Sequence, residues 1–151
     1  MPSVPAQQLK DHIGRDLGTS EWLIIDQARI NRFAEATGDF QFIHVDPQKA
    51  ALTPFGSTIA HGMLSLSLIP VLMQELLVVP DALKMIINYG FDNVRFIQPV
   101  KVDSRVRLQV QLLDVQEKKP GQWLLKAQAT MEIEGQGKPA FVAEPLSLCF
   151  V

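Results

Sequence analysis

The order of periodicities along the chain predicts an α+β fold, with one antiparallel sheet wrapped around an apolar central helix. Three observations carry this. Helical spacing of apolar residues is confined to the stretch before Pro80. Apolar–polar alternation, the two-residue period of a half-buried strand, fills the stretch after it. Between them lies "GMLSLSLIPVLMQ", apolar on nearly every side, which needs other structure around it. Helices first and antiparallel strands after is the α+β pattern.

Length and composition set the frame. A chain of 151 residues, 47% of them hydrophobic, reads as one domain over residues 1–151 with a sizeable single core. The net charge of −2 is mixed along the sequence, which argues against a nucleic-acid partner, since that use favours a basic stripe. Cys149 is the only cysteine, so no intrachain disulfide forms, and a reducing, cytoplasmic setting is expected. In "LSLCFV" it reads as a core thiol. The opening "MPSVPAQQLKDHIG" lacks an apolar signal core, and Gly62 to Gln74 is too short to span a bilayer, so no membrane partner is expected.

The elements follow in order. In "DQARINRFAEATG", Ile30, Phe33, Ala34 and Thr37 share one helix face, with Asp26 as N-cap and Gly38 as the residue that ends the helix. Asp46-Pro47 opens a short second helix, which the turn Thr53-Pro54-Phe55-Gly56 stops. The stretch from Asp39 to His44 is left as a connecting loop. The central helix, about eighteen residues and roughly 27 Å long if continuous, should kink or break at Pro70, which has no N–H for the carbonyl of Leu66. Strands are then expected in "KMIINYGFDNVRFIQPV", in "SRVRLQVQLLDVQEKK" through Val106, Leu108, Val110 and Leu112, and in "WLLKAQATMEIEG" through Leu125, Ala127, Ala129, Met131 and Ile133. "KPGQ" is a hairpin turn between the last two, and "PAFVAEPLSLCFV" forms a final strand.

The chemistry centres on "TGDFQFIHVDP". Asp39 and His44 would point apart in a helix and to opposite faces in a strand, so they meet only if the chain between them curves. The bland alternative is a loop-capping aspartate, a core histidine and anchoring side chains at Phe40, Phe42 and Ile43. Gly62, in "IAHGML" at the start of the central helix, adds a backbone N–H that a ligand can approach closely. Its alternative role is to let the helix pack against a strand. His61 caps, lines the pocket or serves as a structural donor. A metal site from Asp39, His44 and His61 is not expected, because the spacing matches no usual ligand set. A carboxylate, an imidazole and an oxyanion donor in apolar surroundings suit addition of water to a polarised double bond.

"TGDFQFIHVDPQKA" followed by "PFGSTIAHGMLSLSLIP" resembles the hydratase motif of the MaoC-like proteins, the (R)-specific enoyl-CoA hydratases, and more closely their NodN-like branch. Of the pattern Gly-Asp-x-Asn-Pro-(aliphatic)-His, Gly38, Asp39, Ile43 and His44 match, while Gln41 and Phe42 stand where Asn and Pro are usual. "NYGFDNVRFIQPVKVDSRVR" also looks like the family's strand region, so the likeness runs from about Ala28 to Arg107. Pro70 stands near a position where some members carry serine. The resemblance implies a hot-dog fold, a homodimer with its sheets joined side by side, and no cofactor. It implies a trans-2-enoyl thioester of CoA or acyl carrier protein as substrate, as in fatty acid metabolism. Asp39 and His44 would hold the attacking water, with Gly62 as oxyanion donor. An acyl chain would lie against Phe42, Met63 and Leu66, residues that equally read as core. Arg95, Lys101 and Arg105 are the cations available to CoA, and they equally read as a solvated strand face. An acyl-CoA thioesterase and a non-catalytic acyl-thioester binding module are the competing functions.

Overall fold

The computed structural model describes residues 1–151. Strand β1 (Ser3–Val4) and a 3-10 helix (Ala6–His12) lead into β2 (Asp16–Thr19) and β3 (Leu23–Ile25). Helices α1 (Gln27–Thr37), α2 (Phe42–Val45), α3 (Pro47–Ala51), α4 (Gly62–Ser67) and α5 (Ile69–Met73) follow. The chain then forms β4 (Val79–Pro80), β5 (Met85–Phe96), β6 (Ser104–Lys119), β7 (Gln122–Ile133) and β8 (Phe141–Phe150). Strands β2, β6, β7, β8 and β5 lie side by side in that order, β3 extends the sheet by pairing with β6, and every pairing in this six-stranded sheet is antiparallel. The small parallel pair of β1 with β4 stands apart from it.

The long strands β5 to β8 form where the sequence predicts them, whereas β2 and β3 precede the helices, in a stretch where no strand is expected. Val106, Leu108, Val110 and Leu112 of β6 are buried, as are Leu125, Ala127, Ala129, Met131 and Ile133 of β7. Beyond Leu112 the inward parity changes, and Val115 is the next buried residue of β6. The register explains this: Leu112 pairs with Ala127 and Asp114 with Lys126, so Leu113 is an extra residue, a bulge that turns the following side chains over. Lys119 pairs with Gln122, leaving Pro120-Gly121 as the two-residue hairpin turn, with Gly121 at φ 77°.

The central helix is where expectation and structure differ. It runs from Gly62 to Met73 as two short helices broken at Leu68, well short of eighteen residues. The Leu68 N–H turns back to Ser65 O at 3.2 Å, and the next helical bond is from Leu72 to Leu68 O at 3.0 Å. Pro70, with no N–H, leaves the carbonyl of Leu66 without its usual partner, and the helix re-nucleates one residue later with Pro70 in its first turn. Leu64, Leu66, Ile69, Leu72 and Met73 nonetheless face the sheet inside one continuous core. That core also takes Leu9 from the N-terminal 3-10 helix, in a region where the sequence carries no clear periodicity. An antiparallel sheet curved around a central helical segment is the hot-dog arrangement. Cys149 is buried in the same core, where desolvation pushes its thiol up to about 11. No helix is long and apolar enough to cross a membrane.

Candidate functional site

The site assembles from three chain segments, each fixed by local signals. Helix α1 begins at Asp26, whose side chain accepts the Arg29 N–H at 2.8 Å, and ends at Gly38, left-handed at φ 79°. That ending sends the chain sharply away from the helix axis at Asp39. The Asp39 carboxylate accepts the N–H of Gln41 at 3.2 Å, an Asx-type turn. Residues 42–45, expected as loop, instead wind one helical turn, α2, closed by the Asp46 N–H on Phe42 O at 3.0 Å. Nothing between Asp39 and Asp46 is glycine or proline, so nothing in that stretch resists the turn. Asp46 then caps α3, accepting the Lys49 N–H at 3.0 Å.

This path brings Asp39 and His44 together. One carboxylate oxygen of Asp39, one ring nitrogen of His44 and one ring nitrogen of His61 all lie within 4.8 Å of one another. The extended segment Asp39–Gln41 supplies the curvature that pure helix or pure strand forbids. Asp39 is exposed, while His44 and His61 keep only 7% and 3% of their surface.

His44 is held from both ends. Its Nδ1 lies 2.7 Å from the carbonyl of Ile59. A carbonyl only accepts, so Nδ1 carries the proton and Nε2 is left as the lone-pair nitrogen. On the backbone side, Gln27 donates from Nε2 to His44 O at 2.7 Å, and Thr58 donates to Gln27 Oε1 at 2.6 Å. Burial holds His44 below the ordinary histidine value of 6.5; the Ile59 carbonyl opposes this, His61 adds to it, and the Asp39 charge opposes it. The imidazole is therefore neutral at pH 7, with an acceptor nitrogen ready.

Gly62 opens α4, so its N–H has no intrahelical acceptor. A Cβ at this position would meet the ring of Phe96 at 3.1–3.3 Å. The missing side chain thus lets β5 close against the start of the helix, the packing role, and also leaves the N–H beside His44 approachable. His44 and Gly62 together border two cavities. One, about 280 Å³, runs toward Ser65, Phe96 and Phe141. The other, about 480 Å³, is bounded by Phe33, Asp39, His61, Met63 and Ser67. Met63 and Ser67 also line a third, apolar cavity of about 260 Å³ with Leu66, Pro70, Met73 and Phe91.

Met63 therefore lines both the cavity beside the pair and the apolar one next to it, and Leu66 lines the apolar one. Phe42 borders none of these cavities and points from α2 with 42% of its surface exposed. Its place on the solvent side of the turn follows from α2 being helical, with His44 on the inward side. Arg95 is exposed too, donates to the carbonyl of its own neighbour Val94 at 3.2 Å, and lines none of the three. Arg105 is engaged by Glu134 at 2.9 Å. Sequence reasoning missed Gln27 and Thr58, whose partners are 17 and 31 positions away in the chain. Gln27, half-buried in the first turn of α1, carries no local sign of this role in the sequence.

The MaoC like domain family matches residues 8–133 of this chain. The 3-hydroxyacyl-thioester dehydratase Z of Mycobacterium tuberculosis is 47% identical over 133 residues, 88% of this chain and 87% of the relative. Nodulation protein N of Rhizobium meliloti is 43% identical over 149 residues, 98% of this chain and 92% of the relative. Among solved structures, the (R)-hydratase from A. caviae involved in PHA biosynthesis superposes with a TM-score of 0.72 at 29% identity, over 89% of this chain and 94% of that one. With the sheet, the broken central helix and the Asp39–His44 pair already placed by the coordinates, that match makes the chain a member of the MaoC-like dehydratase family, a hydro-lyase kind of enzyme.

Proposed function

We propose that the chain catalyses (R)-specific hydration of trans-2-enoyl thioesters, or the reverse dehydration of 3-hydroxyacyl thioesters, carried on CoA or on an acyl carrier protein. The observation that carries the reading is the meeting of the Asp39 carboxylate and the His44 ring beside the Gly62 N–H, at the edge of an apolar cavity. Both side chains are acceptors in this state. A water donating one proton to His44 Nε2 and the other to an Asp39 oxygen has its lone pair left for the β carbon. As the C–O bond forms, the pair takes one water proton. The alkene electrons pass toward the thioester carbonyl, whose growing negative charge the Gly62 N–H meets. The pair then returns a proton to the α carbon, so one water is added across the double bond and nothing else is consumed. A positioned acid–base pair contributes roughly 10²–10⁴-fold, and one oxyanion donor about 2.7–4 kcal/mol.

The acyl chain runs past Met63 and Ser67 into the apolar cavity that Leu66 helps to line. The active form we propose is a cytoplasmic homodimer in which β5 of each copy lies at the junction, because β5 is a free sheet edge and none of its residues is buried.

The test is loss of the enoyl absorbance of crotonyl-CoA, followed by chiral analysis of the product. Asp39→Asn and His44→Gln should each lower kcat by at least about 10²-fold with the fold intact. Wild-type turnover in both would end the dyad reading. Release of free thiol without hydroxyacyl product would point to a thioesterase, and binding without turnover across chain lengths to a binding module.

A further inference from the structure

His61 belongs to none of the roles above, yet it touches all three members of the site. Its Nε2 lies 3.0 Å from the backbone carbonyl of Asp39. Its ring stacks on His44 with centroids 3.8 Å apart and planes at 25°, and Phe33 packs against it with centroids 4.8 Å apart and planes tilted at 51°. It immediately precedes Gly62 as the N-cap of α4. Because a carbonyl only accepts, Nε2 carries the proton, and Nδ1 is then a bare acceptor. That Nδ1 is sealed from solvent and has no hydrogen-bond partner. A buried acceptor without a partner costs desolvation free energy that a phenylalanine of similar shape, packed against Phe33 and His44, would avoid. Packing alone therefore does not account for an imidazole here. What phenylalanine could not supply is the Nε2–H on Asp39.

We propose that His61 is the positioning residue of the dyad: its Nε2–H clamps the backbone of Asp39 while its face fixes the plane of His44, so that the carboxylate and the acceptor nitrogen aim at one water. This rests on the function proposed above. The link matters because Asp39 sits on an exposed segment just past a helix end, where its own side chain makes only the 3.2 Å contact to Gln41 N–H. The turn's other bonds join it to its chain neighbours, the Asp39 N–H to Thr37 Oγ1 at 3.5 Å and the His44 N–H to Gln41 O at 2.9 Å, and the clamp ties it to the start of α4. His44, by contrast, is already fixed by Ile59 and Gln27. The titratable groups facing His44 are Asp39, from the turn after α1, and His61, from the residue before α4. The other side chains around it, Gln27 and Phe33 from α1 and Phe96 and Phe141 from the sheet, do not titrate.

Two substitutions separate the ring from its N–H. His61→Phe keeps the stack and removes the donor; His61→Gln keeps an N–H at similar reach and removes the ring. Misaiming of about 1 Å costs on the order of 10²-fold, so kcat of the phenylalanine variant should fall by about that factor, with KM changed little. The glutamine variant should recover a substantial part of kcat. Equal kcat in H61F and wild type would overturn the proposal, as would H61Q being no better than H61F. Should H61F fail to fold, ¹⁵N imidazole NMR of the wild-type protein decides. A neutral Nε2–H tautomer at His61 with a through-bond coupling to the Asp39 carbonyl supports the clamp, and an Nδ1–H tautomer overturns it. Turnover surviving in D39N and H44Q overturns the hydration reading itself, whereas turnover lost in those two and kept in H61F overturns only the role of His61.

Discussion

At His44 the chemistry depends on which ring nitrogen holds the proton, and the Ile59 carbonyl decides it at 2.7 Å. In the proposed mechanism the ring must be neutral to accept from the water, so activity is lost as pH falls through its pKa. Burial depresses that pKa below 6.5, which moves the loss to lower pH. The acid limb of kcat/KM on crotonyl-CoA should therefore have its midpoint below 6.5; a midpoint at or above that value would mean the ring is solvated in the working state. Stability carries the same sign. Between 6.5 and the lower folded value the unfolded chain binds a proton at His44 that the folded chain does not, so unfolding becomes easier as pH drops through that window. Urea titrations at a series of pH values should show this slope in the wild type and a smaller one in His44→Gln.

At the scale of elements, the catalytic geometry is inherited from two helix boundaries. Gly38 sits at φ 79° with nothing within 4 Å of where a Cβ would stand, so Gly38→Ala tests backbone strain alone. It should cost about 1–2 kcal/mol, and Asp26→Ala, which deletes the cap on the Arg29 N–H, about 1 kcal/mol. Both are read from the urea midpoint. G38A should also lower kcat, because it alters the chain's exit toward Asp39, and D26A should lower it less, because it loosens the first turn from which Gln27 holds the His44 carbonyl. These boundaries were legible in the sequence because caps and left-handed glycines are local. So were the strand faces of β6 as far as Leu112 and of β7 from Leu125, while the bulge at Leu113 that turns Val115 inward was not. The single helical turn at α2 was not legible, since four residues carry no period. Neither was the inward or outward direction of Phe42, which depends on that turn. Gln27 and Thr58 escaped for a different reason: their bonds join residues far apart in sequence, and only the packed fold makes them neighbours.

Across the whole molecule the two sheet edges are unlike. At one, β2 and β3 are only 4 and 3 residues long, a shortness that blunts an edge. At the other, β5 runs 12 residues, bonded to β8 on one side only, and exposes Met85, Ile86, Ile87, Tyr89 and Phe91. A long apolar edge of this kind invites pairing with another strand, and a second copy of the chain offers the same strand in antiparallel order under two-fold symmetry. Such a pairing closes the open edge of each sheet with the other. It would also cover the β5 side of the apolar cavity that Asn88, Gly90 and Phe91 line. Assembly and substrate selection would then be coupled through one strand. Sedimentation should give twice the 16.8 kDa protomer mass, and Ile87→Lys with Tyr89→Lys should shift the mass to that of one chain. If the acyl cavity is completed by the partner, the same double variant should raise KM for longer enoyl chains more than for crotonyl-CoA. A monomeric wild type with unchanged chain-length preference would assign the apolar edge some other purpose.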